Sequence, residues 1–162
     1  MIKNERQYRI TKTQAGKFQD TLARLRVAPA DPRVHPKLQK AQLDALRSQL
    51  SDLLAEIEEY EALRDGKRQI LPINSVDDLP RALIQARIAS GMSQEDLAQR
   101  LGLKEQQIQR YEATDYAAAS LARVSEIAKA LGIQVKEDVL LPGAEPSITS
   151  LLKRRDRIKL PI

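Results

Sequence analysis

The chain of 162 residues has room for one domain or two small ones, and its apolar share of 42% rests on Leu, Ala and Ile, with one Phe and no Trp. That is a helix-forming composition. With no Cys there is neither a disulfide framework nor a thiolate zinc site, and a single His makes most metal or acid–base sites implausible. The formal charge of +5 suits a polyanionic partner such as nucleic acid. No apolar run approaches the roughly 20 residues of a bilayer span, and Met1-Ile2-Lys3-Asn4-Glu5-Arg6 lacks an apolar signal core, so a cytoplasmic protein without membrane contact is expected.

In chain order, Thr11 can cap a first helix whose apolar positions Ala15, Phe18, Leu22 and Leu25 step by three and four, running to about Arg26. Lys12, Lys17, Arg24 and Arg26 decorate its other faces, as a solvated surface or as a docking face for an acidic partner or the DNA backbone. Pro29, Pro32 and Pro36 break the pattern, and His35 falls in this turn as a solvated loop residue. A second, long helix begins near Pro36 and carries a heptad seam, Leu43, Leu46, Leu50, Leu53, Ile57 and Tyr60, extending to Leu63 before Gly66 ends it. A seam this narrow needs a cover: the first helix folded back as a hairpin, the same helix of a second subunit, or another protein. Hairpin packing combined with dimer contacts is the favoured arrangement, because one short helix cannot cover so long a stripe. Glu56, Glu58, Glu59 and Glu61 on this helix read as solvated surface in preference to a metal site.

Ile70-Leu71-Pro72-Ile73-Asn74 reads as an extended linker, and Ser75-Val76-Asp77-Asp78 as a capping box that opens the next helix. Leu79, Leu83, Ala86, Ile88 and Ala89 line its inner side up to Gly91, with Pro80 shifting its start. From Ser93 to Ala113 two short helical patterns share one apolar side, with Leu97, Ala98, Leu101, Leu103, Ile108 and Tyr111 at three- and four-residue spacings. Gly102 interrupts them and can take the left-handed backbone that a sharp turn requires. This is a helix-turn-helix pattern: Ala98 is small where the helices cross, Leu103 plugs the turn, and Ile108 anchors the second helix. Lys104, Glu105, Gln106, Gln107, Gln109 and Arg110 are left polar on a helix that can enter a DNA major groove. Ser120 can cap a further helix with Leu121, Val124, Ile127, Ala128 and Leu131 inward and Gly132 as its stop, completing a four- or five-helix bundle. Residues 133–141 alternate weakly, as in a short strand; 142–146 form a turn-rich link; and the basic stretch from Lys153 to Lys159 is either a solubilising tail or an element that steers DNA.

Leu97-Ala98, then Arg100-Leu101-Gly102-Leu103, followed by Ile108, Arg110 and Glu112, resembles the helix-turn-helix of the phage-repressor (Xre, lambda-repressor-like) family across residues 76–133. The resemblance implies an all-α bundle that binds operator DNA. Lys104, Glu105, Gln106 and Arg110 would face the groove, Gln107 and Gln109 would lie less directly on it, and Gln94 would hold a phosphate. One position departs: Thr114 stands where the family usually has glycine, which puts backbone phosphate contacts from Thr114 to Tyr116 in doubt. By residue chemistry alone, Gln106, Gln107 and Gln109 can read adenine, Arg110 and Lys104 suit guanine or phosphate, and Glu105 can accept from cytosine.

The charge is unevenly placed. Residues 75–133 hold seven Lys and Arg against eight Asp and Glu, a net of −1, whereas residues 1–26 hold seven against two. The motif expected to touch DNA is not the basic part of the chain, so weak monomer binding rescued by dimerisation is expected. The organisation is therefore all-α: a helical hairpin or coiled-coil region for dimerisation or partner binding (1–70), a helix-turn-helix domain (75–133) and a C-terminal tail (134–162). The leading functional expectation is a homodimeric repressor of a palindromic double-stranded operator, with a protein adaptor as the rival from another class. The layout is also similar to antitoxins of the host-inhibition-of-growth (HigA) type, which would make residues 1–70 a surface for a cognate toxin. There is no glycine-rich phosphate loop, no histidine pair and no nucleophile beside a plausible base, so neither catalysis nor a cofactor is expected.

Overall fold

The computed structural model describes residues 1–27, 34–68, 70–73 and 75–136. Those residues form six α-helices and no strand: α1 (Glu5–Val27), α2 (Pro36–Arg64), α3 (Leu79–Ala89), α4 (Gln94–Leu101), α5 (Glu105–Ala113) and α6 (Leu121–Ala130). The all-α expectation is met. Ile133 to Lys136 carry no regular structure, and the remainder of the expected strand, the link and the basic tail lie outside the described residues.

α1 starts six residues before Thr11, at a cap the periodicity does not reveal. The Asn4 side-chain oxygen accepts from the Gln7 backbone N–H at 2.9 Å, and the Gln7 side chain accepts from the Lys3 N–H at 2.8 Å. This reciprocal pair satisfies two donors at the helix start and so holds the added turns. α2 begins where the proline rule places it, with Pro36 in the first turn and the exposed His35 imidazole accepting from the Lys37 N–H at 3.2 Å. At 29 residues it is about 44 Å long.

α1 folds back along α2 as a hairpin. Tyr8, Ala15 and Leu22 are the buried positions of α1, and Ile57, Tyr60 and Leu63 those of α2. Leu43, Leu46, Leu50 and Leu53 are only half-buried, so α1 closes the C-terminal end of the seam and covers the other end thinly. The Tyr8 and Tyr60 rings stack at 5.1 Å where the hairpin meets the rest of the molecule, and Tyr8 donates its hydroxyl to Glu61. The acidic run of α2 keeps contact with solvent, as expected, but most of it is also paired. Glu56 accepts from the Met1 amino group at 2.7 Å, Glu59 accepts from Arg81 at 3.0 Å and Gln85 at 2.8 Å, and Glu61 takes Tyr8 and Lys12; only Glu58 points away. These carboxylates clasp α1 and α3 onto α2.

Ser75 accepts from the Asp77 N–H and opens a single 3-10 turn, Val76–Asp78, that leads into α3, with Pro80 in its first turn. Seven consecutive residues of α3, Ala82 to Ile88, are buried, because α2 packs on one side and the bundle on the other. Leu83, Ile84, Leu97, Ile108 and Ile127 lose all exposure at the bundle centre, and Leu131 caps that core. No helix among the described residues is long and apolar enough to cross a membrane.

Candidate nucleic-acid interface

α4 starts on a complete capping box: Ser93 accepts from the Asp96 N–H at 3.0 Å, and the Asp96 carboxylate accepts from the Ser93 N–H at 2.8 Å. The Ser93 hydroxyl, followed by its backbone N–H, holds the Asp96 carboxyl below its ordinary range. α4 ends at Gly102 with φ +66°, where the Leu103 N–H reaches back to the Ala98 carbonyl at 2.8 Å. A side chain would strain that left-handed residue, and Ala98, 1% exposed, leaves room for α5 to cross. The turn occupies Gly102 to Lys104, and Ile108 on α5 is fully buried beneath it.

One charged group sits at the centre of this unit. Glu112 on α5 has no exposure, and its two carboxylate oxygens accept from Arg87 Nε at 2.6 Å, Arg87 Nη2 at 2.8 Å and Gln94 Nε2 at 2.8 Å. Arg87, 2% exposed, also donates to the carbonyls of Met92 at 2.7 Å and Lys3 at 2.6 Å. α3, the start of α4 and α5 are thereby fixed to one another and to the N-terminal strap through hydrogen bonds that satisfy every charge. Sequence reading places Glu112 in the motif and overlooks Arg87. Its position four residues after Leu83, on a helix face otherwise apolar, was the available signal.

The exit from α5 differs from a glycine turn, as the Thr114 departure suggests. Thr114 keeps a right-handed backbone at φ −106°, and the left-handed residues are Asp115 (φ 46°) and Tyr116 (φ 58°). Tyr116 is held in this conformation by burial, at 3% exposure, and by stacking on Tyr111 at 5.9 Å; burial pushes its hydroxyl pKa up. Asp115 is held by Lys3 Nζ at 2.8 Å.

The expected site residues separate into three groups. Lys104, Gln106 and Arg110 are exposed, and their side chains make no hydrogen bond or ion pair with another described residue. Glu105 and Gln109, also exposed, are tied to each other at 2.7 Å one helical turn apart. Gln107 turns back to accept from the Lys104 N–H at 3.0 Å and so serves the helix start. Gln94 is 7% exposed: its amide nitrogen is taken by Glu112, and its oxygen accepts from Asn4 at 3.3 Å. Both ends of that amide are therefore engaged within the fold.

Residues 1–4 thread into the bundle from the hairpin side. Ile2 is buried at 3%, and Lys3 donates to the Glu112 carbonyl and to Asp115. A cleft of about 780 Å³ lies between the start of α1 and the helix-turn-helix, lined among others by Arg6, Ile10, Ser93, Glu105, Gln109 and Ala113.

Two crossing helices, a left-handed glycine between them and an exposed polar second helix define the class: a helix-turn-helix domain of the kind found in DNA-binding transcription regulators. Residues 83–137, about a third of the chain, match the model of the helix-turn-helix family, in support of the phage-repressor-like resemblance. Searches of curated proteins and of solved structures give no match.

Proposed function

We propose that this protein is a sequence-specific repressor that reads a palindromic operator as a homodimer, α5 of each subunit entering the major groove of one half-site. The observation that carries the reading is the state of α5: its back is locked by Ile108 and Glu112, while Lys104, Gln106 and Arg110 stand exposed on its front with no partner among the described residues. Gln106 has the paired donor and acceptor that match an adenine edge, and Arg110 has the fork that matches guanine. The Glu105–Gln109 pair presents a fixed acceptor beside them. Gln107 supports the helix start, and the N-terminus of α4 at Gln94 receives a backbone phosphate.

The test is retention of DNA fragments from the protein's own upstream region under competition with random-sequence DNA, together with the stoichiometry of the complex. Two chains per operator are expected. Arg110→Ala should weaken cognate binding by about 1 to 3 kcal/mol and random-sequence binding far less. Equal losses on both would remove Arg110 from base reading, and no preference over random DNA would move the protein to the adaptor class.

A second reading concerns the hairpin. Leu25, Val27 and Leu38 are 44%, 84% and 54% exposed near its far end, where the half-buried Leu43 and Leu46 also lie. This surface supports residues 1–70 as the dimerisation or partner-binding region. With a growth-inhibiting toxin as that partner, the protein would be the antitoxin that represses its own promoter. Co-expression with the neighbouring reading frame should restore growth through residues 1–70; rescue lost only on deletion of residues 75–133 would contradict this.

A further inference from the structure

We propose that the exposed basic face of α1, formed by Arg6, Arg9, Thr13 and Lys17, is a second DNA-contacting surface that tracks the sugar–phosphate backbone beside the half-site read by α5. The inference rests on the DNA-reading assignment above and extends it to a helix outside the helix-turn-helix. Three observations carry it. First, the four residues step by three, four and four, so they share one side of α1 and span about 16 Å along its axis. All four are exposed, and Arg6, Arg9 and Lys17 form no ion pair with another described residue. Second, this face adjoins the reading helix. The cleft lined by Arg6 and Ile10 has Glu105, Gln109 and Ala113 as its opposite wall, and it continues into a trough lined by Arg6, Arg9, Ile10, Thr13, Gln14 and Lys17. Third, the start of α1 is tied there: Asn4 bonds Gln94, the Lys3 carbonyl accepts from Arg87, and Lys3 Nζ reaches Asp115.

Charge complementarity selects the occupant. Residues 75–133 carry a net −1, and two acids, Glu95 and Asp96, stand in the first turn of α4 where a phosphate must approach. Such a unit gains little from the polyanion by itself. Residues 1–26 carry seven cations against two acids, and the strap of residues 1–4 brings that surplus to the edge of the reading surface. The Thr13 hydroxyl donates to the Arg9 carbonyl at 2.9 Å, so the phosphate contacts fall to the three cations. The contact is blind to sequence: it supplies affinity and register while α5 supplies discrimination.

The test is a salt titration of binding to a random-sequence duplex of about 30 base pairs, three helical turns, and to the protein's own upstream fragment. The full chain is compared with Arg6→Ala/Arg9→Ala/Lys17→Ala. The slope of log affinity against log salt should fall by about 2 to 3 in the variant, with roughly 100-fold weaker binding to both DNAs near 0.1 M salt and an unchanged ratio between them. All three side chains are exposed, so the melting temperature should not move. Lys37→Ala, an exposed cation at the start of α2, should leave the slope as it is. An unchanged slope in the triple variant, or an equal fall in Lys37→Ala, would overturn the α1 contact and leave the α5 reading standing. Failure of the unaltered protein to bind either duplex would overturn both.

Discussion

The helix-turn-helix bundle and the helical hairpin bury apolar surface in different ways. In the bundle, Leu83, Ile84, Leu97, Ile108 and Ile127 come from four helices and each reaches zero exposure. In the hairpin, α1 meets α2 along one line: Leu63 and Tyr60 are buried, Leu53 and Leu50 are partly buried against the core, and Leu46 and Leu43 are partly buried apart from it. Two helices side by side enclose no interior, whereas four crossing helices do. The bundle is thus closed on itself, and the far end of the hairpin is left with apolar surface to share. The contrast extends to charge. The bundle buries one ion pair completely, while the hairpin's Lys12–Glu61 pair sits at the surface.

The largest expected effect breaks the bundle from inside. Glu112→Ala leaves Arg87 buried without its counter-charge and strips Gln94 of its acceptor, and should destabilise the protein by about 3 to 5 kcal/mol. A urea titration reads this as a fall in midpoint at constant slope. Arg87→Met combined with Glu112→Leu should recover most of the loss, because apolar pairs of similar volume often replace buried ion pairs at little cost. A double variant as unstable as Glu112→Ala would mean that the contacts of Arg87 to the Lys3 and Met92 carbonyls matter more than its pairing with Glu112.

A smaller effect grades the hairpin. Leu63→Ala, at a position 1% exposed, should cost about 2 to 5 kcal/mol. Leu43→Ala should cost no more than about half of that, because the side chain is only partly buried and stands apart from the core cluster. Both are read from thermal or urea unfolding at two protein concentrations. Equal losses would erase the gradient and mean that a second copy covers the far end of the seam in solution.

The parts legible in the sequence were those governed by local rules. The turn at Gly102, the caps at Ser93 and Ser120, Pro36 in the first turn of α2 and the heptad seam each follow from a residue type at a fixed spacing. What escaped depends on residues far apart in the chain. Arg87 looks like a surface cation until α5 brings Glu112 to it, and Lys3 and Asn4 look like a polar leader until they meet Asp115 and Gln94. The early start of α1 escaped for a different reason. Its Asn4 to Gln7 cap was present in the sequence, and Tyr8 precedes Ala15 and Leu22 at seven-residue steps, but the polar Arg6 and Arg9 and the exposed Ile10 around Tyr8, which line the cleft and the trough, mask that pattern. Among the expected base readers, spacing could not show that Gln107 and Gln94 are used up by the fold itself.

The smallest effect isolates a local element of the bundle. Ser93→Ala removes the side-chain acceptor at the start of α4 and should cost about 1 kcal/mol near neutral pH. The same substitution frees Asp96 from the hydroxyl that holds its carboxyl low. Because the folded-state pKa of Asp96 is depressed, its stabilising contribution is complete above the ordinary value of 3.8 and is lost as the pH falls through the lower, folded value. The stability difference between the original protein and Ser93→Ala should therefore be largest above that value and should narrow on acidification. Urea midpoints measured from neutral pH downward will show it. A gap that stays constant with pH would assign the whole effect to the Asp96 N–H losing its acceptor, with no share for the carboxylate.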